Sequence, residues 1–152
     1  MKRTSVSHSP SETCKIGMEL ANTLVPGDVL LLYGDLGAGK TAFVKGVAAG
    51  LGIEARRVTS PSFGLIHEYE EGRIPLSHAD LYRLGPNISE EGLEEIGLYE
   101  YLNGKWVLAV EWPEYCLDFV RGIAQEHRLS IRITWQSENE RVITVSRGDE
   151  TL

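Results

Sequence analysis

Two stretches of the chain are apolar without interruption. Asp28 to Tyr33 reads D-V-L-L-L-Y, and Trp106 to Val110 reads W-V-L-A-V. Continuous runs of this length predict strands buried on both faces, as in a parallel α/β sheet. Elsewhere apolar and polar positions alternate. Leu65–Tyr69 and Ile74–Ala79 alternate around Glu70-Glu71-Gly72-Arg73, which predicts an antiparallel hairpin ending at Asp80–Leu84. Leu129, Ile131, Ile133 and Trp135 alternate, and Val142, Thr144 and Ser146 do so more loosely. With Ser137–Glu140 between them, they predict a terminal hairpin with one wet face.

Helical spacing marks the remaining segments. Ser9-Pro10-Ser11-Glu12 has a capping serine, a proline suited to the first helical position and a glutamate completing a capping box. Ile16, Leu20 and Leu24 then form the expected buried stripe, and Pro26-Gly27 ends the helix. Phe43, Val44, Val47, Ala48 and Leu51 predict a second helix closed near Gly52. After the break at Gly85-Pro86-Asn87, Asn87 with Glu90 is expected to cap an acidic helix ending by Gly104. Glu114 to Ala124 carries a weak helical pattern. No linker or repeat divides the chain, so one domain over residues 1–152 is expected, with a frayed tail from about 147.

Composition narrows the class. The chain has 152 residues, 42% hydrophobic and 24% charged, as soluble globular domains do. No apolar run approaches a membrane span, and no apolar stretch follows Met1-Lys2-Arg3, so neither a membrane partner nor a secretory signal is expected. Cys14 and Cys116 stand outside any C-x-x-C and read as reduced thiols of a cytoplasmic protein. The net charge of −7 repels a polyanion on average, which disfavours tight binding of nucleic acid, DNA included, by this chain alone.

The chemistry is concentrated between the first apolar run and the second helix. Gly34-Asp35-Leu36-Gly37-Ala38-Gly39-Lys40-Thr41 fits G-x-x-x-x-G-K-[ST], the phosphate-binding P-loop. Glycines let backbone N–H groups approach phosphate oxygens where a Cβ would intrude. The following helix aims its positive end at the same phosphates. Lys40 would reach the β and γ phosphates, and the Thr41 hydroxyl would hold Mg²⁺. Asp35 through Ala42 are therefore the expected nucleotide-binding segment.

A P-loop needs an acid on a neighbouring strand end. Glu111 closes the second apolar run and Asp80 closes the hairpin strand. Mg²⁺ keeps several waters, so one acid can bind the metal while the other positions the attacking water. Which does which stays open. Thr59, Ser60, Pro61, Ser62 and Phe63 place three hydroxyls around a proline, a candidate switch loop ordered by the γ phosphate. Arg83 suits either a phosphate or an acidic partner in the Glu90–Glu100 segment. His67, His78 and His127 lack metal-ligand spacing and read as structural, and the three tryptophans as core or interface aromatics. Arg147-Gly148-Asp149 reads as a coincidence in the tail. No N-K-x-D or T-K-x-D segment follows the loop, which favours ATP over GTP.

Four stretches carry a resemblance: G-D-L-G-A-G-K-T at Gly34–Thr41, S-P-S-F at Ser60–Phe63, H-A-D-L-Y-R-L at His78–Leu84 and V-E-W-P at Val110–Pro113. In order and separation they resemble the TsaE family, ATPases of bacterial tRNA threonylcarbamoyladenosine biosynthesis. The likeness covers nearly the whole chain. It implies an α/β single-domain P-loop NTPase fold with a central mixed sheet flanked by helices. It implies ATP binding, slow Mg²⁺-dependent hydrolysis to ADP, and accessory work for a pair of actin-like-fold proteins, TsaB and TsaD. That pair attaches threonylcarbamoyl to the adenosine beside the tRNA anticodon, and the ATPase does not itself perform the transfer. Carried onto this chain, Lys40 contacts phosphates, Thr41 and Glu111 hold Mg²⁺, Asp80 supports hydrolysis, and the segment at Pro10-Ser11 approaches the base. The family's usual threonine is Ser62 here, its second hydroxyl after the P-loop threonine is Ala42, and its usual Leu-Pro is missing between Asp118 and Leu129. A small-molecule kinase is the alternative, though no compact arginine lid is evident. A module that binds nucleotide without hydrolysing it is a third reading.

Overall fold

A computed structural model describes residues 2–61 and 66–148. Seven strands form one sheet: β1 (Lys2–Ser7), β2 (Val29–Tyr33), β3 (Ile66–Tyr69), β4 (Leu76–Asp80), β5 (Val107–Glu111), β6 (Arg128–Ser137) and β7 (Glu140–Arg147), in the order β1-β7-β6-β2-β5-β4-β3. The four central strands β6, β2, β5 and β4 are parallel. Antiparallel partners complete both sides: β3 on β4, β7 on β6, and β1 on β7. The sheet is thus mixed, as the resemblance implies. The two continuous apolar runs are its central pair, β2 beside β5, where both faces lie under other layers.

Helices cover both faces. Helices α1 (Pro10–Ala21) and α2 (Lys40–Gly50) lie on one, over a core that includes Leu30, Leu32, Leu76, Ala109, Phe43 and Val47. Helices α3 (Glu90–Ile96) and α4 (Leu117–Arg121) lie on the other, against Val29, Leu31, Leu108, Val110, Leu93 and Phe119. Alternation along β2 sends successive leucines to opposite cores.

Several local expectations change. The N-terminal stretch is a strand, β1, whose residues are mostly exposed, so no burial pattern announces it. Ser9 caps α1 and accepts from Glu12 N–H at 3.1 Å, but the Glu12 carboxylate reaches back to His8 N–H rather than to the cap itself. The buried face of α1 is Thr13, Gly17 and Ala21, with Ile16 and Leu20 only partly buried. Small residues face inward because α2 approaches closely. A Cβ at Gly17 would meet Phe43 O at 2.4 Å, and one at Gly46 would meet Cys14 O at 1.9 Å.

Ser89, not Asn87, caps α3, accepting from Gly92 N–H at 3.0 Å, while Asn87 takes a left-handed turn at φ 64°. The acidic helix does not run to Gly104. Gly97 at φ 77° ends it, and a 3-10 turn over Leu98–Leu102 follows. The weak pattern at 114–124 gives a 3-10 turn and the short α4 instead of one helix. The second hairpin strand starts at Leu76, not Ile74, and runs on to Asp80. Arg147, expected to begin the tail, is the last residue of β7, paired with Leu129 and bonded to Asp28. Ser62, Phe63 and residues 149–152 lie outside the described residues.

Candidate functional site

Parallel strands deliver their carboxyl ends to one edge, which is where α/β folds hold ligands. Here β2 runs into the glycine loop, β5 ends on Glu111 and β4 ends on Asp80. The loop turns through Gly37 at φ 79° and Gly39 at φ 111°, left-handed values that disfavour any side chain. Gly39 is the N-cap of α2 and supplies no capping side chain. The first N–H groups of an eleven-residue helix are thus left for an outside acceptor.

Lys40 is 5% exposed, and its ammonium makes no ion pair among the described residues. Nζ donates to Gly34 O at 2.6 Å and lies 3.6 Å from the centre of the Trp112 ring. Burial pushes the Lys40 ammonium below the ordinary lysine range, and Glu111, Glu114, Asp80 and Asp35 pull it back. A buried cation held by a carbonyl and a ring face suits an incoming anion. Trp112 takes a left-handed backbone, φ 63°, unusual for so large a residue, and stacks on Tyr115 at 5.4 Å.

Register joins the acids. Asp80 pairs with Glu111 and His78 with Ala109 across β4 and β5, so His78, Asp80 and Glu111 share the sheet face that carries α2. The Thr41 hydroxyl donates to Glu111 Oε2 at 3.2 Å and lies 2.7 Å from Ser60 Oγ. His78 Nε2 reaches the same Glu111 oxygen at 2.6 Å. Asp80 Oδ1 accepts from Tyr82 N–H at 3.0 Å. Burial raises the Asp80 carboxyl above its ordinary range; the Tyr82 N–H opposes this and the Glu111 charge adds to it. No group of three or more His, Cys, Asp or Glu among the described residues is arranged to hold a metal. A hydroxyl with one or two carboxylates is an incomplete set of hard oxygens, which Mg²⁺ completes with water and phosphate. The donor chemistry fits that ion and does not fit zinc.

Lys40, Thr41, Glu111 and Asp80 therefore meet at one strand edge, joined there by Ser60 of the 59–61 segment. Thr59 is exposed and Pro61 buried. Asp35, Leu36 and Gly37 form the exposed outer turn of the loop, with Ala38 N–H closing on Asp35 O at 3.0 Å. Beside them is a cleft of about 150 Å³ lined by Ser9, Pro10, Gly37, Gly39, Ala42 and Arg141, among others. Ser11 is exposed on the first turn of α1 and does not line it. Arg141 stacks over Trp135 at 3.7 Å and donates to Ala38 O at 3.2 Å. Its place could not be read from a loosely alternating strand. The role of His78 had a faint signal: it stands two residues before Asp80, one strand period away on the same face.

Comparison with known proteins identifies the family. The family model described as "Threonylcarbamoyl adenosine biosynthesis protein TsaE" matches residues 7–143. A Bacillus subtilis protein described as "tRNA threonylcarbamoyladenosine biosynthesis protein TsaE" is 45% identical over 136 residues, spanning 90% of this chain and 80% of its own. A Treponema pallidum protein of the same description is 39% identical over 141 residues, spanning 93% and 98%. The crystal structure of Bacillus subtilis YdiB superposes with a TM-score of 0.75 at 39% identity, covering 97% of this chain and 86% of that one. With a match from residue 7 to residue 143 and relatives aligned over 80% and 98% of their own length, the chain belongs to the TsaE family.

Proposed function

We propose that this chain binds ATP with Mg²⁺ at the Gly34–Thr41 loop and hydrolyses it to ADP as an accessory of tRNA threonylcarbamoyladenosine biosynthesis. The observation that carries the reading is the junction of Lys40, Thr41 and Glu111. It combines a buried cation without an ion-pair partner among the described residues and a metal-type hydroxyl held against a buried carboxylate. Bound Mg²⁺ would supply positive charge that offsets the negative charge building on the transferring phosphate. Thr41 and Glu111 would hold it. The backbone N–H groups of Gly37–Thr41 grip phosphate, Lys40 meets the β and γ oxygens, and Asp80 orients the attacking water. Burial of Lys40 keeps solvent from screening that contact.

Family membership supports a place beside TsaB and TsaD homologues, with tRNA reached only through that complex. The charge of −7 agrees with the indirect contact. No helix among the described residues is long and apolar enough to cross a membrane, and the two cysteines form no disulfide. The proposed work is cytoplasmic.

Phosphate release with and without the TsaB–TsaD pair, wild type against Lys40→Ala, tests the reading. Release is expected to rise with the pair and to vanish in the variant. ATP affinity should fall roughly ten- to hundred-fold, the loss of charge-assisted bonds of about 1.5–3 kcal/mol. Equal release from both proteins would overturn hydrolysis at this site. ATP-dependent phosphorylation of a small alcohol without any partner would point to a kinase instead.

A further inference from the structure

His78 is fully buried on β4. Its Nε2 is 2.6 Å from Glu111 Oε2, and its Nδ1 is enclosed without a hydrogen-bond partner among the described residues. These two facts select a tautomer. An ionised carboxylate only accepts, so Nε2 carries the proton and donates. Nδ1 is then a bare lone pair, a smaller burden than the unpaired N–H that an imidazolium would bury. The small Ala109 opposite His78 leaves the ring room to reach Glu111 two residues along β5.

We infer that His78 is a positioning residue whose neutral Nε2–H holds the Glu111 carboxylate against Thr41 and so prepares it for the divalent cation. The inference rests on the nucleotide and metal site proposed above. Glu111 is 3% exposed, so solvent cannot orient it, and a free carboxylate could rotate away from the Thr41 hydroxyl. Both Thr41 and His78 meet Oε2, which pins the group from α2 on one side and from β4 on the other. Outer partners that orient a metal ligand are typically worth about 10- to 100-fold in metal affinity. A histidine that merely fills space would affect every ligand through the fold.

Mn²⁺ binding, read by electron paramagnetic resonance on protein holding ADP, separates the two. Alongside it, ADP affinity is measured without metal. In His78→Leu, Mn²⁺ affinity is expected to fall about 10- to 100-fold while metal-free ADP affinity is unchanged. His78→Gln, whose amide nitrogen sits near the place of Nε2, should restore most of the Mn²⁺ affinity. Wild-type Mn²⁺ affinity in His78→Leu would overturn the inference. So would a matching loss of metal-free ADP binding, or a folded His78→Gln as weak as the leucine variant. If His78→Leu does not fold, His78→Asn serves, because its amide falls short of Glu111. It should lose Mn²⁺ affinity where His78→Gln keeps it, and parity between the two would overturn the inference. Absence of Mn²⁺ binding in wild type with ADP would instead overturn the proposed site itself.

Discussion

Asp80 and Glu111 stand side by side on parallel strands, yet the chain treats them differently. Glu111 is 3% exposed and receives hydrogen bonds from two side chains, whereas Asp80 is half-buried and receives one from the backbone. Burial, with the neighbouring Glu111 charge, raises the Asp80 carboxyl above its ordinary value of 3.8. A folded-state pKa above the unfolded one means that folding favours the neutral acid. Its contribution to stability is present below 3.8 and is lost as the pH rises through the raised value. At pH 7 the ionised group therefore works against the fold. In metal-free, nucleotide-free protein, Asp80→Asn is expected to melt at a higher temperature than wild type at pH 7. The gap should narrow as the pH approaches 3.8, and a gap independent of pH would refute the account. Lys40 is opposed in the same way by burial, so one cleft holds two charges that the fold resists. Such resistance is common where charge is kept for a ligand.

At the scale of elements, the P-loop helix depends on its neighbour. Helix α2 begins at Lys40, and its position against α1 is set by glycines on both helices. Alanine in a helix interior normally gains about 1 kcal/mol over glycine. At Gly46 the sign should reverse, because the new Cβ would lie 1.9 Å from the Cys14 carbonyl and backbone cannot step aside as a side chain can. Gly46→Ala is expected to lower stability by about 1–3 kcal/mol, the range for overpacking, as measured by urea denaturation. The displaced α2 should also bind ATP more weakly. Gly52, turned at φ 88°, has no such backbone clash, since a Cβ there would come no nearer than 3.9 Å to Gly72 Cα. The stripe Ile16, Leu20 and Leu24 was visible to periodicity, but periodicity weighs large side chains. It cannot detect a face made of Thr13, Gly17 and Ala21, whose value lies in how near they let another helix come.

Across the whole molecule, the end of the sheet away from the P-loop is closed by one buried acid. Asp28, fully buried just before β2, accepts from His127 Nδ1 at 2.9 Å, Arg147 Nη1 at 3.1 Å and Val25 N–H at 3.0 Å. These contacts join the start of β2, the turn before β6 and the end of β7. Removing one partner of a buried ion pair leaves the other uncompensated, a loss of about 3–5 kcal/mol. Arg147→Ala is expected near the lower end of that range in urea denaturation. Adding Asp28→Asn should recover part of it, because no buried charge is then stranded. A loss under about 0.5 kcal/mol, ordinary for a surface position, would show that the clamp carries nothing.

The chain's own pattern determined the central pair of strands, the glycine loop between strand and helix, and the acids at strand ends. These are local: an unbroken apolar run, a positive-φ turn and a period of two or 3.6 need no distant partner to be recognised. The split of the acidic helix at Gly97, the strand at Lys2–Ser7 and the anchoring of Arg147 were decided by tertiary structure. So was the meeting of His78 with Glu111, 33 residues apart in the chain. A strand at the sheet's edge, a helix stop and a buried hydrogen bond each take their meaning from the neighbour that folding supplies. A histidine within a strand is only a histidine until register sets a carboxylate beside it.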